Sequence, residues 1–179
     1  MNLRHLTRAE LDAGLDAIRN SPTDNGVVEL IVARPRPSAR ELLEEAQLDP
    51  SAGMVNDSWA MREAAPDPAT QLTIMNARVI GLIAQDRARW PLAGDQLYVD
   101  LNLADDNLPP GTHIEIGTAV IEVSTEPHLG CGKFVERYGV DAMKFVNSPL
   151  GRQLHLRGIN ARVVRAGAVR VGDRARKRV

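Results

Sequence analysis

"GTHIEIGTAVIEVS", Gly111 to Ser124, holds two short alternating runs, His113 to Ile116 and Ala119 to Val123, joined through Gly117. Alternation with period two puts every second side chain on one face, and a glycine between two such runs lets the chain reverse. The stretch is predicted as an antiparallel pair of strands. A similar pattern returns in "GINARVVRAGAVRVGDRARKRV", where Gly167 and Gly172 punctuate alternating runs. Repeated short strands with glycine turns point to a closed β-barrel or a sandwich, because closure removes exposed strand edges. The basic residues of "RVGDRARKRV" are expected as a short solvated tail or an edge strand.

Upstream, "TQLTIMNARVIGLIAQ" alternates from Thr70 to Met75 as a strand does, and then Val79, Leu82 and Ile83 recur at helical spacing. A strand followed by a helix is expected there. From Pro50 to Pro68 the chain is polar and interrupted, and reads as a loop. The front end, residues 1 to 49, reads as a small α/β lead-in. "TRAE", Thr7 to Glu10, is a capping box followed by Leu11, Leu15 and Ile18, which predicts a helix over residues 8 to 19. "SPTDNG" ends it as a turn, and the β-branched run "VVELIVARP" predicts a strand from Val27 to Ala33. A second capping box, "SARE" from Ser38 to Glu41, predicts a short helix through Gln47. The expected fold class is mixed α/β, dominated by a β-barrel with short peripheral helices.

With 179 residues, 44% hydrophobic, the chain suits one core of ordinary size, so a single globular domain is expected. The net charge of -1 supplies no global field for nucleic acid or an anionic membrane, and neither is expected as a partner. No run approaches the length of a membrane span, and "MNLRHLTRAE" lacks the apolar segment of a signal peptide. A cytoplasmic location is expected.

Cys131 is the only cysteine, set in "EPHLGCGKF" at a strand exit and a helix start. It can form no internal disulfide and no cysteine-rich zinc site. Glycines on both sides leave the sulfur unhindered, and a helix N-terminus with Lys133 and Arg137 nearby favours the thiolate. His128, three residues earlier, is placed to accept or donate a proton. The local chemistry leaves two readings open, a working thiol or a small apolar filler.

Other chemistries are excluded by their missing patterns. There is no P-loop, no GxGxxG after a strand and no HExxH, and the four histidines show no close metal-ligand spacing. His113, inside an alternating strand, is expected at the surface. His128 or His155 would be the candidate base of a cysteine hydrolase, without any hydrolase signature to support it.

"AGDQL" at Ala93 to Leu97, "NLPPGTHIEIGTAVIEVSTEPHLGCGKFVERYG" at Asn107 to Gly139, and "RGINARVVRAGAVRVGD" at Arg157 to Asp173 together resemble a stand-alone MOSC-domain protein, the family named for the C-terminal domain of molybdenum cofactor sulfurases. The resemblance covers roughly residues 50 to 175. It implies a β-barrel in which Cys131 is the functional thiol, either as a direct ligand of molybdenum in the molybdenum cofactor or as a carrier of sulfur from a pyridoxal-phosphate-dependent desulfurase. Soft sulfur suits both. It also implies cofactor contacts at Asp95, Gln96 and Asp57. This chain departs from the family pattern at Asp95 and Gln96, where many relatives carry glutamate and asparagine, and at Asn56, where they carry glycine.

A cofactor with a phosphate and a polar pterin needs cations and amide donors at close range. Lys133, Arg137, Arg152, Arg157 and Asn147 are the candidates near Cys131 in sequence, with Cys131 and His128 as the catalytic pair. Three functions follow from this reading. One is a small reductase of N-hydroxylated compounds served by a separate electron donor. The second is a sulfur carrier served by a separate desulfurase. The third is a non-catalytic module binding a small polar ligand.

Overall fold

The computed structural model describes residues 4–61 and 66–178. The two runs that open the sequence argument form β7 (His113–Ile116) and β8 (Ala119–Val123), antiparallel with His113 opposite Glu122 and Ile116 opposite Ala119. Gly117 turns the hairpin at φ +58°, where a Cβ would also lie 2.3 Å from the Ala168 carbonyl oxygen. Only glycine meets both demands.

Around this hairpin the sheet closes on itself. The ring runs β1 (Gly26–Ala33), β11 (Arg174–Lys177), β7, β8, β9 (Ile159–Arg165), β5 (Leu72–Asn76), β6 (Leu97–Asp100) and back to β1. A ring of seven strands cannot alternate direction all the way round, so at least one neighbouring pair must be parallel. That pair is β5 with β6, where Ile74 faces Leu97 and Asn76 faces Val99; every other pairing in the ring is antiparallel. A parallel pair needs a crossover. It is supplied by α3 (Ala77–Ala84) and a 3-10 helix over Arg87–Ala93, and it returns to the sheet through Gly94, Asp95 and Gln96.

The basic C-terminal stretch is therefore neither tail nor edge strand. As β11 it pairs with β7 on one side and with Gly26 and Val27 of β1 on the other, and Ala175 points into the core. Its arginines alternate outward, which makes a charged run compatible with barrel closure.

Residues 1–49 contain one correction of the sequence reading. The helix expected from Ser38 to Gln47 does not form. Ser38 has φ +65°, outside any helix, and the chain continues as β2 (Glu41–Leu43) and β3 (Glu45–Asp49). β3 pairs with β10 (Gly167–Arg170) and with β4 (Gly53–Met54) in a second small sheet. Ala46 and Leu48 are buried on one face while Glu45 and Gln47 face out, so tertiary pairing overrides the helix propensity of this segment. The first helix does form, from the Thr7–Glu10 capping box, but as α1 (Arg8–Ala13) and α2 (Leu15–Arg19). They meet at Gly14, where a Cβ would lie 2.4 Å from the Leu82 side chain. The interval expected as a loop holds β4 and a 3-10 turn over Ser58–Met61, and part of it, residues 62–65, lies outside the described residues.

Two apolar layers result. Inside the barrel lie Val28, Leu72, Ile74, Leu97, Val99, Ile121, Val123, Ile159 and their neighbours. Outside it, Met75 and Tyr98 from the opposite faces of β5 and β6 pack with Leu11, Ile18 and Ile80 and with Phe134 and Phe145. Those phenylalanines come from α4 (Gly132–Tyr138) and α5 (Val140–Asn147), which α6 (Pro149–Gln153) follows. Burying Leu11 and Ile18 contributes about 1.5–3 kcal/mol each, which ties the first helices to the crossover. No helix among the described residues is long and apolar enough to cross a membrane.

Candidate functional site

The crossover ends in a row of carbonyls, and side chains from distant parts of the chain cap them one by one. Tyr138 Oη donates to the Arg89 carbonyl at 2.7 Å and Tyr98 Oη to Trp90 at 2.8 Å. Arg40 Nε donates to Pro91 at 3.2 Å and Arg137 Nη1 to Leu92. Arg157 Nη2 reaches Ala93 at 2.9 Å, and Arg34 Nη1 reaches Gly94 at 3.0 Å. A helical end exposes unpaired carbonyls carrying partial negative charge, which explains why guanidiniums gather here.

The carbonyls do not balance the charge, and the carboxylates balance only half of it. Arg34 is matched by buried Asp57 in a two-point contact, with 2.9 Å for each nitrogen–oxygen pair. Arg157 is matched by fully buried Asp95, Nη1 to Oδ2 at 2.7 Å. Arg40 and Arg137 have no carboxylate partner among the described residues. Burial pushes the Arg40 guanidinium below the usual arginine range, and the neighbouring charges of Arg137 and Arg34 add to the effect. Both unmatched side chains converge on Gly94, whose φ is +91°. An ideal Cβ there would lie 3.5 Å from Arg40 Nη2 and 4.0 Å from Arg137 Nη1. The missing side chain leaves a cationic cradle.

The cysteine loop is fastened to this cradle at two points. His128 Nε2 lies 2.9 Å from Asp95 Oδ1, and the Arg157 guanidinium stacks over the Phe134 ring, 5.1 Å from its centroid. Between them, Asn147 grips Gly130 from both sides: its Oδ1 accepts from the Gly130 amide at 2.9 Å and its Nδ2 donates to the Gly130 carbonyl at 3.0 Å. Cys131 then stands at the first position before α4, exposed, with no capping bond from its side chain. A Cβ on Gly132 would meet nothing within 4 Å, so the approach to the sulfur is open on that side.

Burial alone would raise Asp95, but the adjacent Arg157 and His128 outweigh it and hold the carboxyl at about 2. His128 moves down from the ordinary imidazole range, first because it is buried and then because of Arg157, against the opposing pull of Asp95. A neutral His128 that donates Nε2–H to Asp95 keeps Nδ1 as an acceptor.

The fold thus gathers Cys131, His128, Asp95, Arg157 and Arg137 in one region. Lys133 is exposed on α4 in the turn after Cys131. Arg152 sits on α6 and donates Nε to the Asn147 carbonyl at 3.1 Å. Asn147 positions the loop, with its amide engaged by Gly130. Gln96 is fully buried, accepting from the Thr73 amide at 2.8 Å and donating to the Gln71 carbonyl at 3.1 Å. Asp57 is likewise enclosed, holding Arg34 together with the Arg34 and Trp59 amides, each at 3.0 Å. His113 is half-buried and bridges to Glu122 at 2.9 Å, away from the cysteine.

Arg34 and Arg40 were not among the sequence-derived candidates, because they precede the segment that carries the resemblance. One signal was available. "ARPRPSAR", from Ala33 to Arg40, holds three arginines and no acidic residue.

Comparison with protein-family models finds no match, and comparison with curated proteins finds none. Solved structures do match. YuaD from Bacillus subtilis is 20% identical with a TM-score of 0.58, over 84% of this chain and 94% of that one. YiiM from Geobacillus stearothermophilus is 13% identical with a TM-score of 0.60, over 86% and 75%. YiiM from Escherichia coli is 15% identical with a TM-score of 0.55, over 86% and 70%. At these identities the likeness is one of fold, a MOSC-like α/β barrel.

Proposed function

We propose that this barrel binds molybdenum cofactor through Cys131 and acts as a small reductase of N-hydroxylated or similar compounds. The observation that supports the reading best is the exposed thiol fastened beside a cradle whose Arg40 and Arg137 guanidiniums have no carboxylate partner among the described residues. A soft thiolate is a ligand for molybdenum, and paired guanidiniums suit a phosphate. In this reading Cys131 holds the metal, while Arg40, Arg137 and Lys133 hold the phosphate and the polar edge of the pterin.

When bound, the cofactor supplies two-electron reduction, with electrons drawn from a separate donor protein. The chain itself fixes the thiol through the Asn147 clamp on Gly130. Asp95 sets the tautomer of His128, leaving Nδ1 to hold or move a proton three residues from the thiol. Protein purified from a host that makes the cofactor should carry stoichiometric molybdenum, and Cys131→Ser should lose it. Absence of the metal from both forms would overturn the reading.

Open space beside Gly132 favours a second reading, in which Cys131 takes sulfur from a pyridoxal-phosphate-dependent desulfurase and holds it as a persulfide. A donor protein must reach the sulfur directly, and the open side permits that. Intact mass spectrometry after incubation with a cysteine desulfurase and cysteine should then show a reducible gain of sulfur on Cys131. No gain removes this reading.

A further inference from the structure

Seven of the eight strands in the large sheet close the ring, and β2 is the eighth, paired with β1 alone among the described residues. The register shows what its free edge offers. Val32 faces Leu42, and the Val32 amide donates to the Gln96 carbonyl at 2.8 Å, on the β6 side of β1. In an antiparallel ladder the N–H and C=O of one residue point the same way. Val32 therefore turns both away from β2, and Leu42 opposite it turns both away from β1. The Leu42 amide and carbonyl find no hydrogen-bond partner among the described residues, and its side chain is 63% exposed. Soluble chains guard such an edge with lysine, proline or a bulge. Here the outward-facing position carries leucine.

The residues around Leu42 are complementary to their own reverse. Antiparallel pairing about a two-fold axis at Leu42 sets it against the partner subunit's Leu42, each amide donating to the other's carbonyl. Two residues to either side, Arg40 comes opposite Glu44 of the partner subunit, and the same contact recurs by symmetry. Both groups need it. Glu44 is exposed, and neither Glu44 nor Arg40 has an ion-pair partner among the described residues. The Pro91 and Ala39 carbonyls accept from Arg40 Nε at 3.2 Å and Nη1 at 2.6 Å, which holds the guanidinium at the end of β2.

We propose that this protein forms a two-fold dimer through β2, joining two large sheets into one and bringing Glu44 of the partner subunit to Arg40 at the rim of the Gly94 cradle. The partner copy thereby adds a carboxylate to the site that one chain leaves cationic. Three paired residues make a short seam, so association is reversible and depends on concentration. The dimer stands whether Cys131 takes metal or sulfur.

Sedimentation equilibrium of the metal-free full chain tests it. The unaltered chain should show a reversible monomer–dimer equilibrium. Leu42→Pro removes only an outward-facing N–H, a change that edge strands tolerate, and should give a folded monomer with its melting temperature retained in dilute solution. Glu44→Arg sets like charges together and should weaken the dimer by about ten-fold or more. Adding Arg40→Glu to Glu44→Arg reverses the pair and should restore association. A monomer at every concentration overturns the proposal. So does a dimer that Leu42→Pro and Glu44→Arg both leave intact, which places the contact elsewhere. Failure of the charge reversal, with Leu42→Pro still monomeric, overturns the pairing of Arg40 with Glu44. Because no metal is present, the outcome is separate from that of the molybdenum measurement.

Discussion

Asp95 holds His128 from beneath the cysteine loop, Oδ1 to Nε2 at 2.9 Å, while its other oxygen holds Arg157 at 2.7 Å. One fully buried carboxylate two residues before β6 therefore orients both the histidine of the thiol loop and the arginine that stacks on α4. Removing its charge leaves Arg157 buried and unpaired. Asp95→Asn should cost about 3–5 kcal/mol in denaturant unfolding, the usual penalty for breaking a buried ion pair from one side. Adding Arg157→Leu should recover part of that loss, since the apolar replacement removes the stranded charge.

The same group dictates acid sensitivity. Asp95 is held at about 2, below its value in the unfolded chain, so its stabilisation is complete above the unfolded value and is lost as pH falls toward 2. His128 acts in the same direction at higher pH. Burial makes its protonation harder in the folded protein, so the unfolded state takes up the extra proton once pH drops below roughly 6.5, and stability falls. Unfolding free energy should decline in two stages below neutral pH. His128→Phe should flatten the upper stage and Asp95→Asn the lower one.

Asn147 makes two hydrogen bonds to Gly130, immediately before Cys131. Asn147→Ala should cost about 1–3 kcal/mol by leaving those backbone groups without partners. Amide exchange at Gly130 should accelerate while the barrel strands keep their protection. Equal loss of protection everywhere would mean that the clamp serves the whole fold rather than the loop.

Gly94 combines a φ of +91° with the opening that Arg40 and Arg137 face. Gly94→Ala should cost about 1–2 kcal/mol from backbone strain, and in cofactor-loaded protein it should lower the molybdenum content. Normal molybdenum content in this variant would detach the cradle from the proposed cofactor.

Ala175 is buried on β11, the strand that joins β7 to β1. Ala175→Asp inserts an unpaired charge where the barrel closes, and should abolish the cooperative unfolding transition. Arg176→Gln, on the alternate face of the same strand, should change stability by less than about 0.5 kcal/mol.

The strand pair at His113–Val123, the strand then helix after Thr70, and the first capping box were legible because each rests on neighbours within a few residues. The segment from Ser38 to Gln47 was misread for the complementary reason. Its local preference is helical, and the partner that makes Glu45–Asp49 a strand lies at Gly167–Arg170. Burial of Ala46 and Leu48 against that partner decided between two conformations that the local residues leave close in energy.

For the site, local residues alone specify a thiol between glycines, a histidine three residues before it and a C-terminal half of short strands. Tertiary structure decided the surroundings. An odd ring requires a parallel pair, the parallel pair requires a crossover, and the carbonyls at the end of that crossover draw arginines from positions 34, 40, 137 and 157. Those residues come from three separate stretches of the chain, and no local pattern encodes which of them find carboxylates and which are left to hold something else. Their convergence on Gly94 is a property of barrel closure, because only closure brings the residues that follow β1, the crossover and the cysteine loop to one place.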